Sequence, residues 1–291
     1  MVDVKDAGWK KELKDLMKAI AAASLFGIPL LYTMEMWELG VTVSSQKLAV
    51  LIGVAILVNF LASLAWGVRE DCTPFGAFAD AVTSIGIGFV FSTAILALIG
   101  RLDLGRELDG SLAKITLMTI VVSIGITFAT SRFRDDANGE GDDEEKERKG
   151  KSEDELHKLQ LQDDLADLGG SVAGALIFAF NVAPTEEITL IASTLGSLQL
   201  VTLLAAELLL GYVILFASGL WKRTVYVEDT IFQKPWAETV MSTAIGLVVA
   251  GALLAFFGYQ EAGASTSGFV ATLVTLGLPA TIGAAAGRLV V

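Results

Sequence analysis

Eight apolar stretches, each long enough to cross a lipid bilayer, leave this chain few folds to choose from. They run over residues 18–37, 47–68, 77–100, 112–131, 166–183, 197–220, 237–259 and 268–289. A helix needs roughly 20 apolar residues to span the hydrocarbon core. In lipid every backbone N–H and C=O must be satisfied inside the structure, so spans are helices or barrel strands. The alternation of barrel strands is absent here. The expected fold is an all-α polytopic membrane protein of eight transmembrane helices, in keeping with a mean hydropathy of +0.62. The first stretch follows a lysine-rich segment without a small-residue cleavage site, so it reads as a retained helix rather than a signal peptide.

The polar residues of these stretches recur in order. Thr33-Met34-Glu35-Met36 sits at the end of the first stretch and Thr185-Glu186-Glu187-Ile188 at the matching place of the fifth. Phe26, Thr33 and Glu35 correspond to Phe178, Thr185 and Glu187 at an offset of 152. Ala65-Trp66 resembles Leu220-Trp221 at 155, and Asp80 and Ser84 match Glu238 and Ser242 at 158. Ile124-Gly125 matches Ile282-Gly283, also at 158. The drift fits small insertions in the second half. Each half has an even number of spans, so both enter the membrane from the same side. That predicts two parallel four-helix repeats around a pseudo-twofold axis along the membrane normal.

The boundaries follow. Residues 1–17 form a cytoplasmic interfacial helix, with Trp9, Leu13 and Leu16 spaced helically among lysines. Residues 18–132 are the first repeat, 133–165 an acidic linker and 166–291 the second repeat. Net charge is −12, and residues 134–164 alone carry 13 acidic against 6 basic residues. Such a run cannot bury apolar area and reads as a solvated spacer, with a helical stretch expected over 152–168. With the N-terminus in the cytoplasm, 17 Lys and Arg fall inside and 4 outside. The positive-inside rule then places both termini and the linker in the cytoplasm of a multi-pass inner (plasma) membrane protein.

Cysteine and histidine are nearly absent. Cys72 and His157 stand alone, so no disulfide, thiolate cluster or bis-histidine haem can form. No organic cofactor is expected. Any metal within the membrane would be held by oxygen, which points to Na⁺, K⁺, Ca²⁺ or Mg²⁺. No phosphate loop or nucleophile–base set appears, and neither an enzyme nor a nucleic-acid partner is expected.

Carboxylates in membrane segments are costly and usually functional. The repeat would pair Glu35 with Glu187, which with Thr33, Thr185 and Glu186 make an outer cation site, Glu35 and Glu187 being the metal ligands. Asp80, Ser84, Glu238 and Ser242 would make an inner one. Pro29 and Pro184 sit close to the outer acids, and Asn181-Val182-Ala183-Pro184-Thr185 reads as a helix break followed by a start capped by Thr185. A helix starting there also stabilises Glu186 and Glu187 without any ion. Glu207 differs. It lies mid-span in Leu-Ala-Ala-Glu-Leu-Leu-Leu-Gly, and at the local offset of 155 its mate is Ile52. It is expected to be protonated or paired with another helix, and is a proton-sensing candidate. Asn59 reads as a helix-pairing residue, and the abundant glycines as packing positions.

The elements FGIPLLYTMEMW and NVAPTEEI, the 4+4 layout and the charged linker resemble an uncharacterised family of prokaryotic integral membrane proteins. The resemblance covers most of the chain and implies no activity. The proline-and-carboxylate pattern is also loosely similar to the repeats of cation exchangers, but those repeats are inverted. The sequence thus points to a cation channel or ion-coupled transporter, in contact with the lipid bilayer and a small inorganic cation and compatible with a homo-oligomer. A nonconducting scaffold or sensor that recruits a partner through the linker is the alternative.

Overall fold

The computed structural model describes residues 3–66, 73–103, 105, 107–135, 153–217, 235–259 and 266–289. Arg69, Cys72, Trp221, Lys222, Arg223, Lys234 and the linker residues 136–152 lie outside these. The described residues form ten α-helices and no strand. In the first half these are α1 (Asp3–Leu31), α2 (Met34–Thr42), α3 (Ser45–Trp66), α4 (Pro74–Leu98) and α5 (Leu108–Asp135). In the second they are α6 (Glu153–Phe180), α7 (Glu186–Thr194), α8 (Ser197–Tyr212), α9 (Pro235–Phe256) and α10 (Thr266–Arg288). A π-helical turn, Val213–Ala217, prolongs α8.

Local geometry recurs at the spacings of the sequence matches. The residues before α2 and α7, Thr33 and Thr185, are both extended, and both helices are nine residues long. Each threonine stands at the cap position, yet neither hydroxyl caps the helix that follows. Thr33 Oγ1 donates to the Leu30 carbonyl and Thr185 Oγ1 to the Val182 carbonyl, both at 2.7 Å. A chain break frees carbonyls of the preceding turn, and the hydroxyl satisfies one of them. After α4 and α9 the chain turns through Gly100 (φ 70°) and Gly258 (φ 77°), a conformation that favours glycine.

Six helices are long and apolar enough to cross a membrane: α3, α4, α5, α8 with its π turn, α9 and α10. A seventh crossing arises if Glu12–Leu31 and α2 count as one span bent by 82°. The eight expected spans are therefore six or seven by this measure, and the difference lies at the two breaks. The stretch 18–37 turns sharply after Leu31, and the apolar part of α6 is only Leu165–Phe180. Two expected boundaries are also continuous helix. α1 joins residues 3–17 to the first span, and α6 starts at Glu153, within the expected helical stretch of the linker. Continuing the helix keeps each backbone ladder intact, which a stop at the interface would not.

In each half the last helix is the hub. α5 packs on α1, α2, α3 and α4, and α10 packs on α6, α7, α8 and α9. Glycines set the closeness. A Cβ on Gly125 would lie 2.6 Å from Phe26 Cβ, and one on Gly283 would lie 2.7 Å from Phe178 Cβ. Those two pairs are matched residues of the two halves. The halves meet where α1 lies against α8, its π turn and α10, and where α4 touches α8.

Candidate functional site

At the break end, Glu187 reaches across the halves. Its carboxylate accepts a hydrogen bond from the Met34 backbone N–H at 3.3 Å. Partial burial works against its ionisation, but the hydrogen bonds it accepts there outweigh that and hold its carboxyl below the ordinary value of 4.5. Glu35 and Glu186 are exposed and Thr33 and Thr185 half-buried. The contact seen is thus an acid on a helix N-terminus, favourable without any ion. A cleft of about 620 Å³ opens beside it, lined by Met34, Pro184, Thr185, Glu186, Thr189 and Tyr259. Tyr259 donates to the Ala183 and Thr185 carbonyls at 3.0 Å, tying the break in place. Arg101, the residue matching Tyr259 in the first half, lies 4.7 Å over the Trp37 ring and donates to Thr194 Oγ1 at 3.4 Å.

At the opposite end Glu238 is buried and faces Arg288, 3.7 Å away. Arg288 also donates to Asp167 Oδ2 through Nε (3.1 Å) and Nη2 (2.8 Å). One arginine therefore gathers the starts of α6's apolar part and of α9 to the end of α10. Asp80 is half-buried, while Ser84 and Ser242 are buried. Arg288 was legible only as one of the inside charges, and Asp167 was not singled out. Their meeting is a product of packing.

Mid-span, Glu207 has no exposed surface, and neither carboxylate oxygen has a hydrogen-bond partner among the described residues. It lies roughly 15 Å from the start of α8. Its carboxyl rests against Gly277 of α10: a Cβ there would lie 2.9 and 3.0 Å from the two oxygens. Tyr32, at the end of α1, is wholly buried within electrostatic reach of Glu207, and its hydroxyl is also unpartnered among the described residues. Counted from the starts of α3 and α8, Ser45 and Ser197, the position of Glu207 falls on Ala55, where the offset of 155 gives Ile52. The mate of Gly277 is then Thr119. The pair Glu207 and Gly277 thus corresponds to Ala55 and Thr119 in the first half. Tyr32 escaped the sequence reading, although it matches Pro184 and so marks a break where the halves differ.

Fold and site define a multi-pass integral membrane protein in which charged groups are placed at both ends and one acid is sealed between helices. The chain belongs to the DUF2391 family of integral membrane proteins, whose model it matches over residues 15–291. No curated protein and no solved structure matches it.

Proposed function

We propose that this protein is an ion-coupled transporter of the inner (plasma) membrane, with Glu207 as the group that takes up and releases a proton. The observation that carries the reading is the burial of Glu207 mid-span with both oxygens unpartnered among the described residues. An ionised carboxylate left there costs about 2.5–3.5 kcal/mol or more, and a proton or cation removes that cost. Close packing of Gly277 against Glu207 and Leu247 favours a transporter over an open channel.

The end acids then serve the entrances. Glu187 spends its charge on a helix end and Glu238 on Arg288. Glu35 and Glu186 stand exposed at the outer mouth, and Asp80, Ser84 and Ser242 lie toward the inner one. The co-transported ion is Na⁺, K⁺, Ca²⁺ or Mg²⁺, and no catalytic step is involved. In this reading the bent pair α1–α2 counts as one crossing, and the shorter apolar helix Leu165–Phe180 of α6 as another. The eight crossings then form two parallel four-helix units around an axis along the membrane normal, with termini and linker cytoplasmic.

The test uses the full chain in liposomes. Cation uptake is followed under an imposed pH gradient for the wild type, Glu207→Gln and Glu35→Gln/Glu187→Gln. Gradient-driven uptake that Glu207→Gln abolishes supports the reading. No uptake of any of the four cations, under gradient or voltage, would favour a scaffold that recruits a partner through the acidic linker.

A further inference from the structure

Most threonine hydroxyls described in these spans are used by their own helix. Thr83, Thr93, Thr119, Thr202, Thr272 and Thr275 each donate to the carbonyl four residues back, at 2.7–2.9 Å. Ser242 and Thr243 of α9 and Thr281 of α10 behave differently. They are at most 4% exposed, and their oxygens have no partner among the described residues.

Thr243 and Thr281 belong to one place. A Cβ on Gly211 would lie 3.5 Å from Thr281 Cγ2 and 3.9 Å from Thr243 Oγ1, and one on Gly246 would lie 2.9 Å from Thr281 Oγ1. Ser242 is one helical turn beyond Glu238, on the same face of α9. Thr281 is one turn from Gly277, against which Glu207 rests. The order through the second half is thus Glu238 with Arg288, then Ser242 one turn on, then Thr243 and Thr281 beside Gly211 and Gly246, then Glu207, then Tyr32 at the break.

The matching place in the first half is filled. Gly211 corresponds to Asn59, whose Nδ2 donates to Ser123 Oγ at 3.0 Å, and Ser123 is the mate of Thr281. Ser123 Oγ in turn donates to the Ile120 carbonyl at 3.0 Å. Thr243 corresponds to Ile85 and Glu207 to Ala55. An amide, an isoleucine and an alanine occupy the positions that in the second half hold a glycine, a hydroxyl and an acid.

We propose that the second half contains a proton-relay path from the Glu238–Arg288 end to Glu207, lined by Ser242, Thr243 and Thr281 and kept open by the glycine at 211, and that Asn59 seals its counterpart. Water bridges the gaps between hydroxyls, as it does between buried polar groups with room around them. Each oxygen accepts a proton on a lone pair as it passes its own onward. One proton enters and one leaves, with no bond to carbon changed and no oxidant or reductant needed. The inference rests on the reading of Glu207 as the protonatable group.

Infrared spectroscopy of the full chain in lipid tests it without any transported ion. The Glu207 carboxyl band is the one missing from Glu207→Gln, and its shift on transfer to D₂O gives the exchange rate. Gly211→Asn, which copies Asn59, and the isosteric Thr281→Val should each slow exchange by about tenfold or more by removing water-bridged steps. Asn59→Ala should leave it unchanged. An equal rate in wild type, Gly211→Asn and Thr281→Val would overturn the path alone, whereas a wild-type band that never exchanges would overturn the path and the reading of Glu207 together. Absence of a Glu207 band from about pH 5 to 9 would overturn the reading of Glu207 itself.

Discussion

Glu187 accepts a 3.3 Å hydrogen bond from the backbone N–H of Met34, joining the start of α7 to the start of α2 across the two halves. The ionised carboxylate is the favoured form at a helix N-terminus, and its folded-state carboxyl sits below the ordinary value of 4.5. With a depressed value the contribution is fully present above the ordinary 4.5 and is lost as pH falls through the lower folded-state value. Glu187→Gln should cost on the order of 1 kcal/mol at neutral pH. Thermal unfolding in detergent at neutral and acid pH checks it: the wild type should lose more stability on acidification than the variant does.

The close helix contacts predict which glycines tolerate a methyl group. A Cβ on Gly174 would strike the Gly283 backbone, and one on Gly287 would strike the Gly170 backbone. Gly53 and Gly86 have nothing within 4 Å. Gly174→Ala and Gly287→Ala should each destabilise by about 1–3 kcal/mol, the usual range for overpacking. Gly53→Ala and Gly86→Ala should be neutral or slightly stabilising. Denaturant titration of the four variants measures the contrast.

Arg288 holds two acids at once, so removing it leaves Asp167 and the buried Glu238 without their shared cation. Arg288→Gln should cost on the order of 2–3 kcal/mol, less than a wholly buried pair because Asp167 is 28% exposed at its side chain. Adding Glu238→Gln should restore part of the loss. A double-mutant cycle on unfolding free energy reads the coupling, and additive effects would show that the two residues act independently.

The all-helical membrane fold was legible because apolar length is a one-dimensional signal. The recurrence of Thr33/Thr185 and Asp80/Glu238 was legible because polar residues are rare in such stretches. The 82° bend after Leu31 was not, because Pro29 only marks a weak point and neighbouring helices decide how far the chain turns there. Sequence also named Glu207 but not its surroundings. That it lies against Gly277 and near Tyr32 depends on packing between α8, α10 and α1, which no single-helix pattern carries. The partners of Glu187 and Glu238 were hidden for the same reason: one is a backbone N–H, the other an arginine 50 positions away.

The most direct measurement is proton movement during cation transport. Liposomes holding the full chain and a trapped pH indicator receive Na⁺, K⁺, Ca²⁺ or Mg²⁺ in turn, with the membrane voltage clamped at zero. The account predicts that at least one cation changes the internal pH in the wild type, and that Glu207→Gln, folded to the same stability, abolishes the change. Proton movement that survives in Glu207→Gln, or cation flux with no proton movement at all, would contradict it.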